Sequence, residues 1–341
     1  MTTRRTVLRA MGGGLLAAGV GANLTVPASA ASGGTTGTLL VVEKSGHAVA
    51  FHDVATGELL SRVPLGEYPH EMVVDSARRH AYIGHYGVRM SGDAGAGGSS
   101  VFVVDLAERR LVRTIDLSPF NRLHGIAIDD RDRLYVLSEE KAVLLEIDDP
   151  AGAEAPSAAV DTGGIKTHMV VTTQDGSRAY VTGLLSHTVS LLDPHDASVE
   201  PVVATPGRLP ESCALSEDER VLYVGAREDK ALVELDARSL RERNRVTVPG
   251  DPLRVYVIPG DGDLLTTDID HRRVTRYGPD LGEQRSVGFD GTPAGISFHP
   301  SEPTAFVTLL DVNTVAILDL TTFTVTGTIP TGPEPDVTAL I

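Results

Sequence analysis

A single cysteine, Cys213, stands in 341 residues, which excludes an internal disulfide framework and any cysteine-rich zinc module. Tryptophan is absent and aromatics make up only 4% of the chain. Basic residues are in deficit: 30 Lys and Arg against 46 Asp and Glu leave a formal net charge of −16. Polyphosphate and anionic lipid surfaces repel such a protein, so neither nucleic acid nor a charged membrane is its expected partner. Three motifs are also missing: the Gly-x-Ser-x-Gly nucleophile elbow, the phosphate-cradling P-loop and the His-Glu-x-x-His metal helix. What is present is 35 Gly, 20 Pro and abundant Val and Thr, the composition of many short strands joined by tight turns.

The first thirty residues look like an address. Arg4-Arg5 and Arg9 precede a Gly/Ala/Leu stretch, Met11 to Val20, and then Val26-Pro27-Ala28-Ser29-Ala30, a small-residue cleavage site. The apolar run is too short and too rich in glycine to span a bilayer as a permanent helix. Paired arginines ahead of it resemble a twin-arginine export signal, with a general-secretion signal as the alternative. The expected organisation is a cleavable signal over 1–30, a linker over 31–37 and one domain over 38–341. Cleavage would remove Arg4, Arg5 and Arg9 and no acid, so the exported product is more acidic still and carries no membrane span.

An apolar strand ending in Asp recurs along that domain, as in His47–Asp53, Val101–Asp105, Val143–Asp148, Thr188–Asp193, Ala231–Asp236 and Thr314–Asp319. The sixth copy closes on Arg276-Tyr277-Gly278 instead. A second strand precedes each, for example Ala81–Gly84 and Ala179–Thr182, and a third follows, such as Leu111–Leu117. A fourth leads into the next copy, as in Met72–Asp75, Ile126–Asp129 and Ile296–His299. Four strands repeating about every 43 residues, with Gly and Pro punctuation and no helical period, predict an all-β fold: a single seven-bladed β-propeller. Leu39–Val42 lacks a preceding partner and Val337–Ile341 lacks a successor, so pairing the two termini would close the ring and remove two free edges.

Ala179-Tyr180-Val181-Thr182-Gly183 with Ser186–Asp193, Ala305–Asp319, and the connector Thr328-Ile329-Pro330-Thr331-Gly332-Pro333-Glu334-Pro335 resemble the YVTN family of propeller repeats. The resemblance covers 38–341 and implies fold more than function, since related propellers include binding proteins, lactonase-like enzymes and cell-surface proteins. Calcium-dependent lactonase propellers use Glu, Asn and Asp at the channel, where only Glu211 and Asp336 correspond.

Innermost strands of a propeller line a channel, and the connectors entering them ring one mouth. The residue about twelve before each repeat's Tyr position therefore belongs to that ring: His70, His124, His168, Glu211, Leu253 or Arg254, Ala294 and Asp336. Neutral imidazoles with a carboxylate suit one divalent transition metal (Zn, Cu, Fe, Ni or Mn), so His70, His124, His168 and Glu211 form a candidate metal set. Common ancestry of the repeats is the competing explanation for equivalent histidines. Glu71, Arg254 and Asp336 are candidate catalytic groups: Glu71 as a base or an outward charge, Arg254 as a carboxylate fork or as the ion-pair partner of Glu211 or Asp336. The loops His85-Tyr86, Glu139-Glu140, His187, Arg227, Asp268 and His271 crown the same face, and the glycine-rich insertion Gly87–Ser99 suits a flap over it. Cys213 falls within an inner strand as a packed small hydrophobe. Two functions follow. One is an exported monomer binding a small molecule or an extracellular protein on its channel face. The other is a metal- or histidine-dependent enzyme, a lyase, hydrolase or oxidoreductase, built on the ring.

Overall fold

A computed structural model describes residues 35–341; the export signal expected over 1–30 lies outside the described residues. Short apolar stretches separated by turn residues form seven four-stranded antiparallel sheets, and no helix occurs among the described residues. Blade 1 joins Thr38–Glu43, Ala48–Asp53 and Leu59–Pro64 to the last strand of the chain, Pro335–Leu340. Blades 2 to 7 follow over 69–116, 123–161, 167–204, 210–247, 252–288 and 293–330. Leu39 pairs with Leu340 and Val41 with Thr338, so the termini close the ring within one sheet. Each innermost strand also packs against that of the next blade, all the way round.

The recurring Asp has a local cause. At the turn that follows it the carboxylate accepts the main-chain N–H three residues on, from Thr56 to Asp53 (2.8 Å), Glu108 to Asp105 (2.7 Å), Ser239 to Asp236 (2.9 Å) and Thr322 to Asp319 (2.7 Å). Such Asx turns satisfy a donor that the hairpin would otherwise strand. Blade 6 lacks this Asp, and its Arg276 instead binds Asp263 (2.7 Å), Asp261 (2.6 Å) and the Leu320 carbonyl of blade 7 (3.0 Å). A polar clip replaces an apolar pair there.

Seven buried apolar clusters hold the ring together, one at each junction between neighbouring blades. The core is thus a ring of wedges. Tyr82, Tyr135, Tyr180, Tyr223 and Phe306 occupy equivalent places in five of them, which is where the few aromatics of the sequence are spent.

The innermost strands start earlier than their apolar alternation suggests. Pro69–Val74, Leu123–Ile128, Thr167–Thr172, Pro210–Leu215, Pro252–Val257, Pro293–Phe298 and Pro335–Leu340 each open with a bulge, carrying one residue more than the facing strand. A bulge breaks the period of two and re-aims a side chain. The apolar pattern from Met72 or Ile126 onward therefore captures only the regular second half of the strand. Five of these strands begin at proline, tolerated at a first position where no ladder N–H is required.

Candidate functional site

The second residue of each innermost strand sits at the bulge and faces the axis. In blade order these are Asp336, His70, His124, His168, Glu211, Leu253 and Ala294, and all line one cavity of about 510 Å³ at a mouth of the channel. The ring occupant of blade 6 is Leu253; Arg254 is one step further in, level with Glu71 on blade 2. A second tier comes from the residue after each blade's second strand: Lys44, Tyr86, Glu139, Leu184, Arg227, Ile269 and Leu310. All but Glu139 line the cavity. Polar groups dominate the wall from blades 1 to 5, and apolar groups form it on blades 6 and 7. At the rim, Met90 is 57% exposed and Leu185 60%.

The three imidazoles are buried in a row. Ring centres of His70 and His124 lie 4.1 Å apart and those of His124 and His168 3.6 Å apart, with Tyr86 edge-on to His124 at 5.0 Å. Carboxylates bracket the row at both ends. His70 Nδ1 contacts Asp336, and its Nε2 accepts from Lys44 Nζ at 3.1 Å. His168 Nε2 lies 2.8 Å from Glu211 and its Nδ1 3.6 Å from Glu139, which is fully buried. Glu211 also accepts from Arg227 (3.0 Å), whose other nitrogens clamp Asp251 at 2.6 and 2.7 Å. Glu139 takes the Tyr86 hydroxyl and that of Ser91 (2.5 Å). His124, in the middle, makes no side-chain hydrogen bond, and its Nδ1 is buried without a partner.

These surroundings separate the histidines. Burial lowers the pKa of His70. Burial, with repulsion from His168, His70, Arg254 and Lys44, holds His124 well below the ordinary range. Burial also disfavours charge on His168, yet Glu211 and Glu139 outweigh it and raise its pKa. Glu211 and Asp336 stay ionised: burial would raise them, but His168 with Arg227, and His70 with Lys44, hold them below the usual carboxylate range. Opposite shifts in neighbouring groups are the arrangement that supplies one acid and one base at the same pH.

Arg254 pairs with Glu71 across the channel at 2.7 Å, not with Glu211 or Asp336, and its other nitrogen contacts Met169. Glu71 accordingly faces inward and is buried. Arg254 lines both the upper cavity and a second one of about 430 Å³ on the opposite side of the pair. Cys213 lines that lower cavity, where burial pushes its thiol up to about 12, so it is no nucleophile at neutral pH.

The insertion is tied down. Arg122 donates to the carbonyls of Ser91 (3.0 Å), Asp93 (2.6 Å) and Gly95 (2.9 Å), Asn121 to Ala96 (2.5 Å), and Lys166 to Ser91. Met90 and Ser91 thereby become part of the cavity wall. Two histidines, His47 and the crown residue His187, are braces that accept from the main-chain N–H of Tyr68 (3.0 Å) and Leu209 (3.1 Å). Those two residues precede inner strands and hold left-handed φ values of 50° and 55°. His271 turns aside to Asp268 at 2.9 Å. Sequence reasoning passed over Lys44, Lys166 and Arg122. The same repeat arithmetic that aligned the ring would have found Lys44, which shares its repeat position with Tyr86 and Arg227.

The fold is a seven-bladed β-propeller. No protein-family model matches the chain, and no curated protein matches it. Among solved structures, a chain of the mitotic checkpoint complex is similar with a TM-score of 0.68 and 13% identity, covering 90% of this chain and 96% of that one. At that identity the likeness concerns the fold alone. Since 1643 chains match it, the propeller by itself carries no function. No helix among the described residues is long and apolar enough to cross a membrane.

Proposed function

We propose that this chain is an exported, monomeric propeller of the YVTN type that binds a small amphipathic molecule in its upper channel mouth. The observation that carries this reading is the two-sided cavity: hydrogen-bonding groups on blades 1 to 5, Leu253, Ile269, Ala294 and Leu310 on blades 6 and 7. Binding sites combine an apolar wall with a few fixed polar groups in this way. Export rests on the arginine pair and cleavage site of the leader; replacing Arg4 and Arg5 by lysine should hold the protein in the cytoplasm, and unaltered export would remove the twin-arginine route.

The dye 8-anilinonaphthalene-1-sulfonate, an apolar ring system with one charged group, is a suitable probe. Wild-type protein should bind it saturably, and Ala294→Trp, which fills the apolar wall, should abolish binding while the protein still melts cooperatively. Absence of saturable binding, or binding indifferent to Ala294→Trp, would contradict the reading.

A second reading, a histidine- or metal-dependent enzyme acting on the bound molecule, is favoured by the three buried imidazoles, whose Nδ1 atoms all lack a well-formed hydrogen bond. His124, held neutral beside His168, has the character of a general base.

A further inference from the structure

We propose that His70, Glu71 and His124 hold one divalent transition-metal ion, and that the Lys44 ammonium stands in for that ion in the metal-free protein. This rests on the second reading above and assigns its ligands. One ligand atom from each of the three residues lies within 4.8 Å of the others, and all three side chains are buried. Two imidazoles and a carboxylate on innermost strands of neighbouring blades make a three-point set, His70 and His124 lining the upper cavity and Glu71 the lower one.

Each ligand is prepared by its neighbours. Asp336 contacts His70 Nδ1 and favours the tautomer with the proton there, which puts the lone pair on Nε2, facing Lys44. A carboxylate behind a histidine is the usual way a metal ligand is oriented and made more basic. Arg254 engages Glu71 through Oε1, fixing its direction. His124 has no hydrogen bond of its own, a costly state for a buried imidazole. By contrast His168 and Glu211 are spent on each other at 2.8 Å. They are therefore not counted among the ligands.

A cation already occupies the neighbourhood. Lys44 Nζ is 3.1 Å from His70 Nε2, 3.7 Å from Asp336 and 5.4 Å above the Tyr86 ring. Its ammonium is directed at the lone pair a metal would use. Lys44 lines the cavity, and its long stem lets the head swing away when an ion binds.

The test uses the purified mature protein, stripped with chelator and titrated with Co²⁺ alone, read by visible absorption and by competition with Zn²⁺. One equivalent should bind. Glu71→Gln and His124→Gln should each weaken binding by about 100-fold, and Asp336→Asn by about 10-fold. Lys44→Met should tighten binding, a gain that misfolding cannot produce. Circular dichroism melts identify variants that fail to fold. If Co²⁺ binds one equivalent but survives Glu71→Gln and is lost in Glu211→Gln, the ligand set is wrong while the metal reading stands. If neither wild type nor Lys44→Met binds Co²⁺, both fall.

Discussion

Arg254 and Glu71 show how much depends on a side chain's exact place. Both are buried, they meet at 2.7 Å, and they stand between the two cavities of the channel. Removing one partner of such a pair leaves an uncompensated charge where water cannot reach it, at a cost of about 3–5 kcal/mol. Arg254→Leu should lower stability by that amount in urea unfolding, and adding Glu71→Leu should recover most of it. If the single variant unfolds like wild type, the pair is not buried as described. The sequence placed Arg254 near the ring but assigned it the wrong partners, because position along a bulged strand decides which side of the axis a residue faces. Strict alternation would put Leu253 and Arg254 on opposite faces, whereas the bulge lets both reach the cavity.

At the scale of elements, the repeat was legible and its irregularities were not. Strands ending in Asp announced themselves by Asx-turn chemistry, and Gly-Pro connectors marked where one blade passes to the next. The opening half of each inner strand escaped, since His70-Glu71 and Pro210-Glu211 look like loop to any alternation rule. For the same reason the ring could be found only by aligning repeats. The insertion Gly87–Ser99 reads as a flap from its glycines, whereas Arg122 bonds to three of its carbonyls. Arg122→Ala should free this segment without melting the ring, because local opening draws on few contacts. Faster trypsin cleavage at Arg89 with an unchanged melting temperature is the expected result. Equal resistance in wild type and variant would show that other contacts hold the loop.

The whole molecule is closed by its ends, with Leu39 opposite Leu340 and Leu40 opposite Ala339. Val337, Ala339 and Ile341 pack into the junction between blades 1 and 2, and Leu340 into that between blades 7 and 1. Deleting 336–341 would strip an inner strand, expose the edge of Thr38–Glu43 and remove Asp336 from behind His70. The truncated chain should melt well below wild type and aggregate. An unchanged melting temperature would show that the ring does not depend on this pairing.

Closure also makes the site, because only a complete ring buries three imidazoles in a row between two carboxylates. That is the central claim, and it distinguishes a coupled cluster from histidines that merely line a wet channel. The direct measurement is a pH titration of the metal-free protein labelled with ¹⁵N-histidine, following His70, His124 and His168 by nuclear magnetic resonance. With 6.5 as the ordinary value, His168 should titrate above it, raised by Glu211 and Glu139, and His70 and His124 below it, lowered first by burial. Three histidines titrating together near 6.5 would contradict the account.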